Sequence, residues 1–121
     1  MKNGKLALIA AAPGSLRDAL AIFLQTVPWI EVVRQVRHTS SVLSAIEESR
    51  PALVLLDTNV PGDEVPDMVK QIKTTWPQVQ CLVLADTIQQ EQQARSAGAD
   101  VSVLKGFPAT ELFCIVEEML Q

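Results

Sequence analysis

The stretch ALVLLDTNVPG, residues 52–62, decides how this chain is read. Five apolar residues run without a break, Asp57 follows, and Asn59, Pro61 and Gly62 then turn the chain. An apolar residue at every position, rather than at alternate ones, marks a strand covered on both faces. Such a strand lies in the interior of a parallel sheet, and its terminal aspartate stands at the sheet's carboxyl edge.

The same signature returns on either side. LALIA (6–10) and CLVLA (81–85) are apolar throughout, VSVL (101–104) is a shorter version, and IEVVRQV (30–36) alternates as an edge strand does. Helical patterns separate them. SLRDALAIFLQ (15–25) places Leu16, Ala19, Leu20, Phe23 and Leu24 on one face and ends before Pro28. SVLSAIEES (41–49) closes before Pro51, and EVPDMVKQIKTTW (64–76) tolerates Pro66 only in its first turn. IQQEQQARSAG (88–98) and ATELFCIVEEML (109–120) complete the series. Strict alternation of five strands and five helices predicts an α/β domain, a five-stranded parallel sheet with helices on both faces. No linker or repeat divides it, so residues 1–121 read as a single domain. Gln89, Gln90, Gln92 and Gln93 leave the fourth helix few apolar anchors, and it is expected to be the least firmly packed.

Composition narrows the function. A net charge of −4, with ten basic residues scattered singly, argues against a nucleic-acid groove on this domain. Cys81 and Cys114 lie far apart with no histidine beside them, a spacing that fits free thiols in a reducing cytosol rather than zinc or redox chemistry. The opening MKNGKLALIAAAPGS has two lysines before an apolar heptad, as a secretory signal does, but its apolar run reads better as the first strand of the sheet. No other apolar run approaches the length of a bilayer span. A cytoplasmic protein without a membrane partner is expected.

In an open parallel sheet, ligands bind outside the carboxyl ends of the strands, where the strand order reverses. Asp57 stands at that edge, and Ala11, Ala12, Ala85 and Lys105 end the first, fourth and fifth strands there. Three segments, RPALVLLDTNVPG, WPQVQCLVLAD and AGADVSVLKG, resemble the receiver domains of two-component response regulators, most closely those that precede helix-turn-helix DNA-binding domains. The resemblance covers essentially the whole chain and implies the receiver strand order 2-1-3-4-5. Receivers hold Mg²⁺ with an acidic pair after the first strand and accept phosphate on an aspartate. A Thr or Ser after the fourth strand, a lysine and an aromatic switch residue assist. By the resemblance Asp57 takes the acceptor position and Lys105 that of the lysine. The acidic pair falls on Ala11 and Ala12, the hydroxyl on Ala85 and the aromatic residue on Ser102.

These replacements carry a chemical consequence. Mg²⁺ demands oxygen ligands in octahedral geometry, and a unit charge pair at ~4 Å is worth about 4 kcal/mol at an effective dielectric near 20. With only the Asp57 carboxylate and the Asn59 carbonyl as candidate ligands, Mg²⁺ binding is expected to be weak or absent, and no other cofactor is implied. The expectation is a pseudo-receiver, not an enzyme, in which Asp57 serves as the partner of Lys105. Two competitors stand beside it: a slow but genuine receiver phosphorylated on Asp57, and a receiver that senses a small ligand over Ala11, Ala12 and Ala85. The expected partner is another protein, or an output domain following Gln121 in a longer chain. Among other residues, His38 reads as a surface side chain and Asp86 as the cap of the fourth helix. Trp29 and Trp76 read as packing residues. Phe113 and Leu120 extend the apolar stripe of the fifth helix, either as a broad core face or as a contact patch, and self-association as a homodimer is expected to bury that helix.

Overall fold

The computed structural model describes residues 4–106 and 108–120; Lys2 of the amino-terminal stretch and Gln121 lie outside them. The strands are β1 (Lys5–Ala10), β2 (Ile30–Val36), β3 (Leu53–Asp57), β4 (Gln80–Ala85) and β5 (Val101–Leu104). They alternate with helices α1 (Ser15–Gln25), α2 (Val42–Ser49), α3 (Val65–Thr75), α4 (Ile88–Ser96) and α5 (Ala109–Met119). One sheet results, ordered β2-β1-β3-β4-β5 and parallel at every pairing. The alternation and the strand order are both as the sequence predicts.

Helices cover both faces because the interior strands are apolar on both. Leu8, Ala10, Val54, Leu56, Cys81 and Val83 pack under α2, α3 and α4, while Ala7, Ile9, Leu53, Leu55, Leu82 and Leu84 pack under α1 and α5. β3 is buried from end to end. Each fully buried Leu or Val on it contributes roughly 1.5–3 kcal/mol of hydrophobic stabilisation, which sets how much a charge at the end of the strand can be tolerated.

The helices differ from the sequence reading in instructive places. Residues Thr39–Ser41 form a 3-10 turn that leads into α2. α3 admits Pro66 at its second position, where no helical carbonyl awaits the missing N–H. In α1 the expected apolar face holds only in part: Leu20 and Leu24 are buried together with Ala21, but Leu16 and Ala19 face solvent. On α5 the packing matches the core-face alternative of the two. Leu120, just past the helix, is buried in the core, and Phe113 is half-buried with its ring edge-on to Phe23 at 6.3 Å and 85°. Their apolar surface is a broad core face closing α5 onto α1. Trp29 and Trp76 each pack against one of the two cores. α4 buries only Ala94, and its first residue, Ile88, is 62% exposed.

Candidate functional site

The carboxyl ends of β1, β3, β4 and β5 converge. Ala10 pairs with Leu56, Asp57 with Leu84 and Ala85 with Leu104, so the next residues of each strand emerge side by side. Backbone hydrogen bonds continue the ladder beyond the strands: Thr58 N–H donates to Leu84 O at 3.1 Å and Lys105 N–H to Ala85 O at 2.9 Å. Lys105 is thereby aimed across the sheet end at Asp57.

Asp57 is the one carboxylate among the described residues that the sheet buries; its side chain is 6% exposed. Its Oδ1 accepts from Asn59 N–H at 3.1 Å and lies 2.6 Å from Lys105 Nζ. The first bond folds the turn that ends the strand, the short Asx arrangement that suits this residue type. The second neutralises the charge that burial penalises. Ala11 and Ala85 are buried and Ala12 is half-buried, so these three positions offer methyl groups where the acidic pair and the hydroxyl were sought. Ser102 lies on β5, three residues before Lys105, and pairs with Val83. It is buried, its hydroxyl has no partner, and its carbonyl accepts from Arg95 Nη2 at 3.2 Å.

Asp86 overturns the expectation made for it. Thr87 caps α4, its Oγ1 accepting from Gln90 N–H at 3.1 Å. Asp86 turns into the site instead: Oδ1 lies 3.1 Å from Lys105 Nζ, and Oδ2 accepts from Asn59 Nδ2 at 2.8 Å. Gln90 reaches back from α4, its Oε1 accepting from Asp86 N–H at 2.9 Å and from Thr58 Oγ1 at 3.2 Å. The cluster of two carboxylates and one ammonium carries −1, where Asp57 and Lys105 alone would sum to zero. A signal for this was present, since Thr87-Ile88-Gln89-Gln90 matches the capping box, in which the first residue caps and the fourth reaches back.

The hydrogen bond from Lys105, helped by a further bond from Asn59 and by the lysine's charge, holds the Asp86 carboxyl below the usual range against the opposing effect of burial. Burial works against the Lys105 ammonium, but the hydrogen bonds and charges of Asp57 and Asp86 outweigh it and hold Lys105 above its ordinary value. Cys81, by contrast, is pushed up to about 12 by burial and is inert as a nucleophile.

Two further features frame the site. The β3–α3 loop is pinned to the turn after β2: Thr39 N–H donates to Pro61 O at 2.9 Å and Asp63 N–H to Thr39 Oγ1 at 2.7 Å. Gly62, at φ 117°, is required there, because a Cβ would overlap the Thr39 hydroxyl. His38 is exposed beside it, Nδ1 accepting from Ser40 N–H. On the other side, an apolar groove of about 260 Å³ runs between α1 and the start of α5, lined by Leu16, Leu20, Phe23 and Leu112 with Lys105 at its edge.

An aspartate ending β3, a lysine ending β5 and the order β2-β1-β3-β4-β5 recur together in one family. Residues 8–117 match the family model for the response regulator receiver domain. The chain belongs to the response regulator receiver family. A relative, the uncharacterized transcriptional regulatory protein YhcZ of Bacillus subtilis, is 32% identical over 99 residues, covering 80% of this chain. This receiver spans 46% of the length of that relative. The receiver domain of NtrX from Brucella abortus superposes with a TM-score of 0.84 at 24% identity, covering 94% of this chain and 97% of that one. An orphan response regulator of H. pylori gives 0.84 at 17% identity over the full length of both chains. A LuxR-family DNA-binding response regulator from Staphylococcus aureus gives 0.86 at 19%, covering 97% and 99%. These likenesses establish the fold. No helix among the described residues is long and apolar enough to cross a membrane.

Proposed function

We propose that this receiver is a pseudo-receiver, a protein-interaction module in signal transduction that works without Mg²⁺-dependent phosphorylation of Asp57. The observation that carries the reading is the replacement of the acidic pair by Ala11 and Ala12 beside an Asp57 already engaged by Lys105 at 2.6 Å. Phosphoryl transfer to a carboxylate depends on positioning and on neutralising charge over the equatorial oxygens, which the metal supplies when bound. The donor set does not fit that metal. Asp57 and the Asn59 carbonyl make at most two oxygen ligands, Asp86 is tied to Lys105 and Asn59, and the two alanines offer none. In this reading Asp57 and Lys105 hold the loop edges together, and the domain acts through its surface on a partner protein or on an output domain of a longer chain. The relative, of whose length the match covers 46% and which is a transcriptional regulatory protein by name, supports the second possibility.

The test is phosphorylation itself. Incubated with Mg²⁺ and acetyl phosphate, the wild-type protein gains no phosphate by intact-mass measurement. The triple variant Ala11→Asp/Ala12→Asp/Ala85→Thr, which regains two metal ligands and the hydroxyl, gains one. Ready phosphorylation of wild-type Asp57 overturns the reading.

A further inference from the structure

We infer that Asp86 is an internal anion: its carboxylate engages Lys105 and Asn59 and thereby fixes the first turn of α4 on the site, in the place an external oxyanion would otherwise take. Four contacts carry this. Asp86 Oδ1 meets Lys105 at 3.1 Å, and Oδ2 accepts from Asn59 at 2.8 Å, so one carboxylate spans donors from β5 and from the β3–α3 loop. The Asp86 N–H donates to Gln90 at 2.9 Å, and Gln90 N–H donates to the Thr87 cap at 3.1 Å. The carboxylate and the start of α4 are therefore one hydrogen-bonded unit, locked by the same residue. Thr58, just past β3, adds a second tether to Gln90 at 3.2 Å.

The rest of α4 offers no alternative anchor at this end. Its only buried side chain, Ala94, lies toward the other end, and Ile88 and Gln89 are exposed. Beyond the Thr58–Gln90 bond, the orientation of the first turn, and with it the apolar surface at Ile88, thus depends on what Lys105 and Asn59 hold. Asp86 remains 40% exposed on its side chain, so it can be exchanged for another anion without opening the core. This deepens the pseudo-receiver reading and rests on it: the arrangement of α4 is set by the chain's own carboxylate rather than by a phosphoryl group.

The experiment is amide hydrogen exchange on wild type, Asp86→Ala and Glu91→Gln. The last removes the Glu91–Arg95 pair on the same helix and serves as the control. Losing charge-assisted bonds of this kind is expected to speed exchange over residues 86–90 by about tenfold in Asp86→Ala, with the strands and Glu91→Gln unaffected. Sodium formate, a free carboxylate small enough for the vacated space, restores part of the protection in Asp86→Ala, whereas sodium chloride at equal ionic strength does not. Unchanged exchange in Asp86→Ala, or equal effects of formate and chloride, overturns the inference. Intact mass after acetyl phosphate is recorded on the same samples. Phosphate on wild-type Asp57 counts against the pseudo-receiver reading alone, and unaltered exchange counts against the internal anion alone.

Discussion

Asp57 is tolerable at the end of a wholly buried strand only because Lys105 meets it. Removing one partner of such a pair strands the other, and the cost exceeds anything the pair contributes when intact. Lys105→Met is therefore expected to destabilise the domain by about 3–5 kcal/mol. Adding Asp57→Asn to Lys105→Met recovers most of that loss, because the stranded charge is gone. Urea unfolding of the two variants decides it; equal stability for Lys105→Met and wild type would show that the pair is not buried in solution. Asp86 is coupled to the same lysine with the opposite sign of exposure. Its carboxyl is held below the usual range, so its contribution to stability is present above about pH 4 and disappears as the pH falls through its folded-state value. Lys105 is held high, so its contribution persists at lower pH and is lost only as the pH rises through its own folded-state value, beyond ~10.4. Asp86→Asn should melt roughly 2–4 °C below wild type at neutral pH. The two melting temperatures converge as the pH is lowered below about 4. A gap independent of pH would mean that the carboxylate charge is not what matters.

At the scale of elements, α1 and α4 have similar lengths and unequal anchorage. α1 buries Leu20, Ala21 and Leu24, whereas α4 buries Ala94 alone and presents glutamines along its middle. Little apolar area opposes local opening of such a helix. Amides of residues 92–97 should exchange at least about tenfold faster than those of residues 19–25. This lies beyond the first turn, which Thr87, Gln90 and Asp86 secure by hydrogen bonds. Equal protection in the two helices would contradict the argument. α5 shows the reverse relation between sequence and packing: apolar side chains on two sides of the helix both find partners, Phe113 on Phe23 and Leu120 in the core.

Over the whole molecule, the carboxyl edge of the sheet carries a charge balance that links metal binding to global stability. Ala11→Asp/Ala12→Asp places two more carboxylates at an edge that already holds Asp57 and Asp86. Each close repulsive pair costs up to about 4 kcal/mol at ~4 Å and an effective dielectric near 20. The double variant is expected to melt below wild type in chelator and to regain stability as Mg²⁺ is added, by about 2.7 kcal/mol at a hundredfold excess over its dissociation constant. Wild type, lacking those ligands, keeps one melting temperature throughout. A wild-type protein that Mg²⁺ stabilises to the same degree would show a metal site independent of the acidic pair.

The sheet and its site edge were legible from the residues, and its strand order from the receiver resemblance they carry. A fully apolar β3 ending in Asp57 can only be an interior strand, and helical connections between parallel strands leave few topologies. Local periodicity also found all five helices, because burial on one face imposes it. What periodicity cannot carry is the path of a loop. Asp86 and Thr87 are adjacent, and either has a side chain able to cap α4; the choice went to Thr87 because the backbone there sends Asp86 toward Lys105 and Asn59, residues 19 and 27 positions away. Leu16 and Ala19 fit an apolar helical face and remain exposed, since α5 covers only part of α1. Leu120 lies off the main stripe of α5 and is buried all the same, in the core shared with α1. Local apolar pattern dictates which surfaces have to be covered. Which neighbour covers them, and which carboxylate reaches the lysine, is settled in the folded chain, because both depend on contacts between segments that share no local pattern.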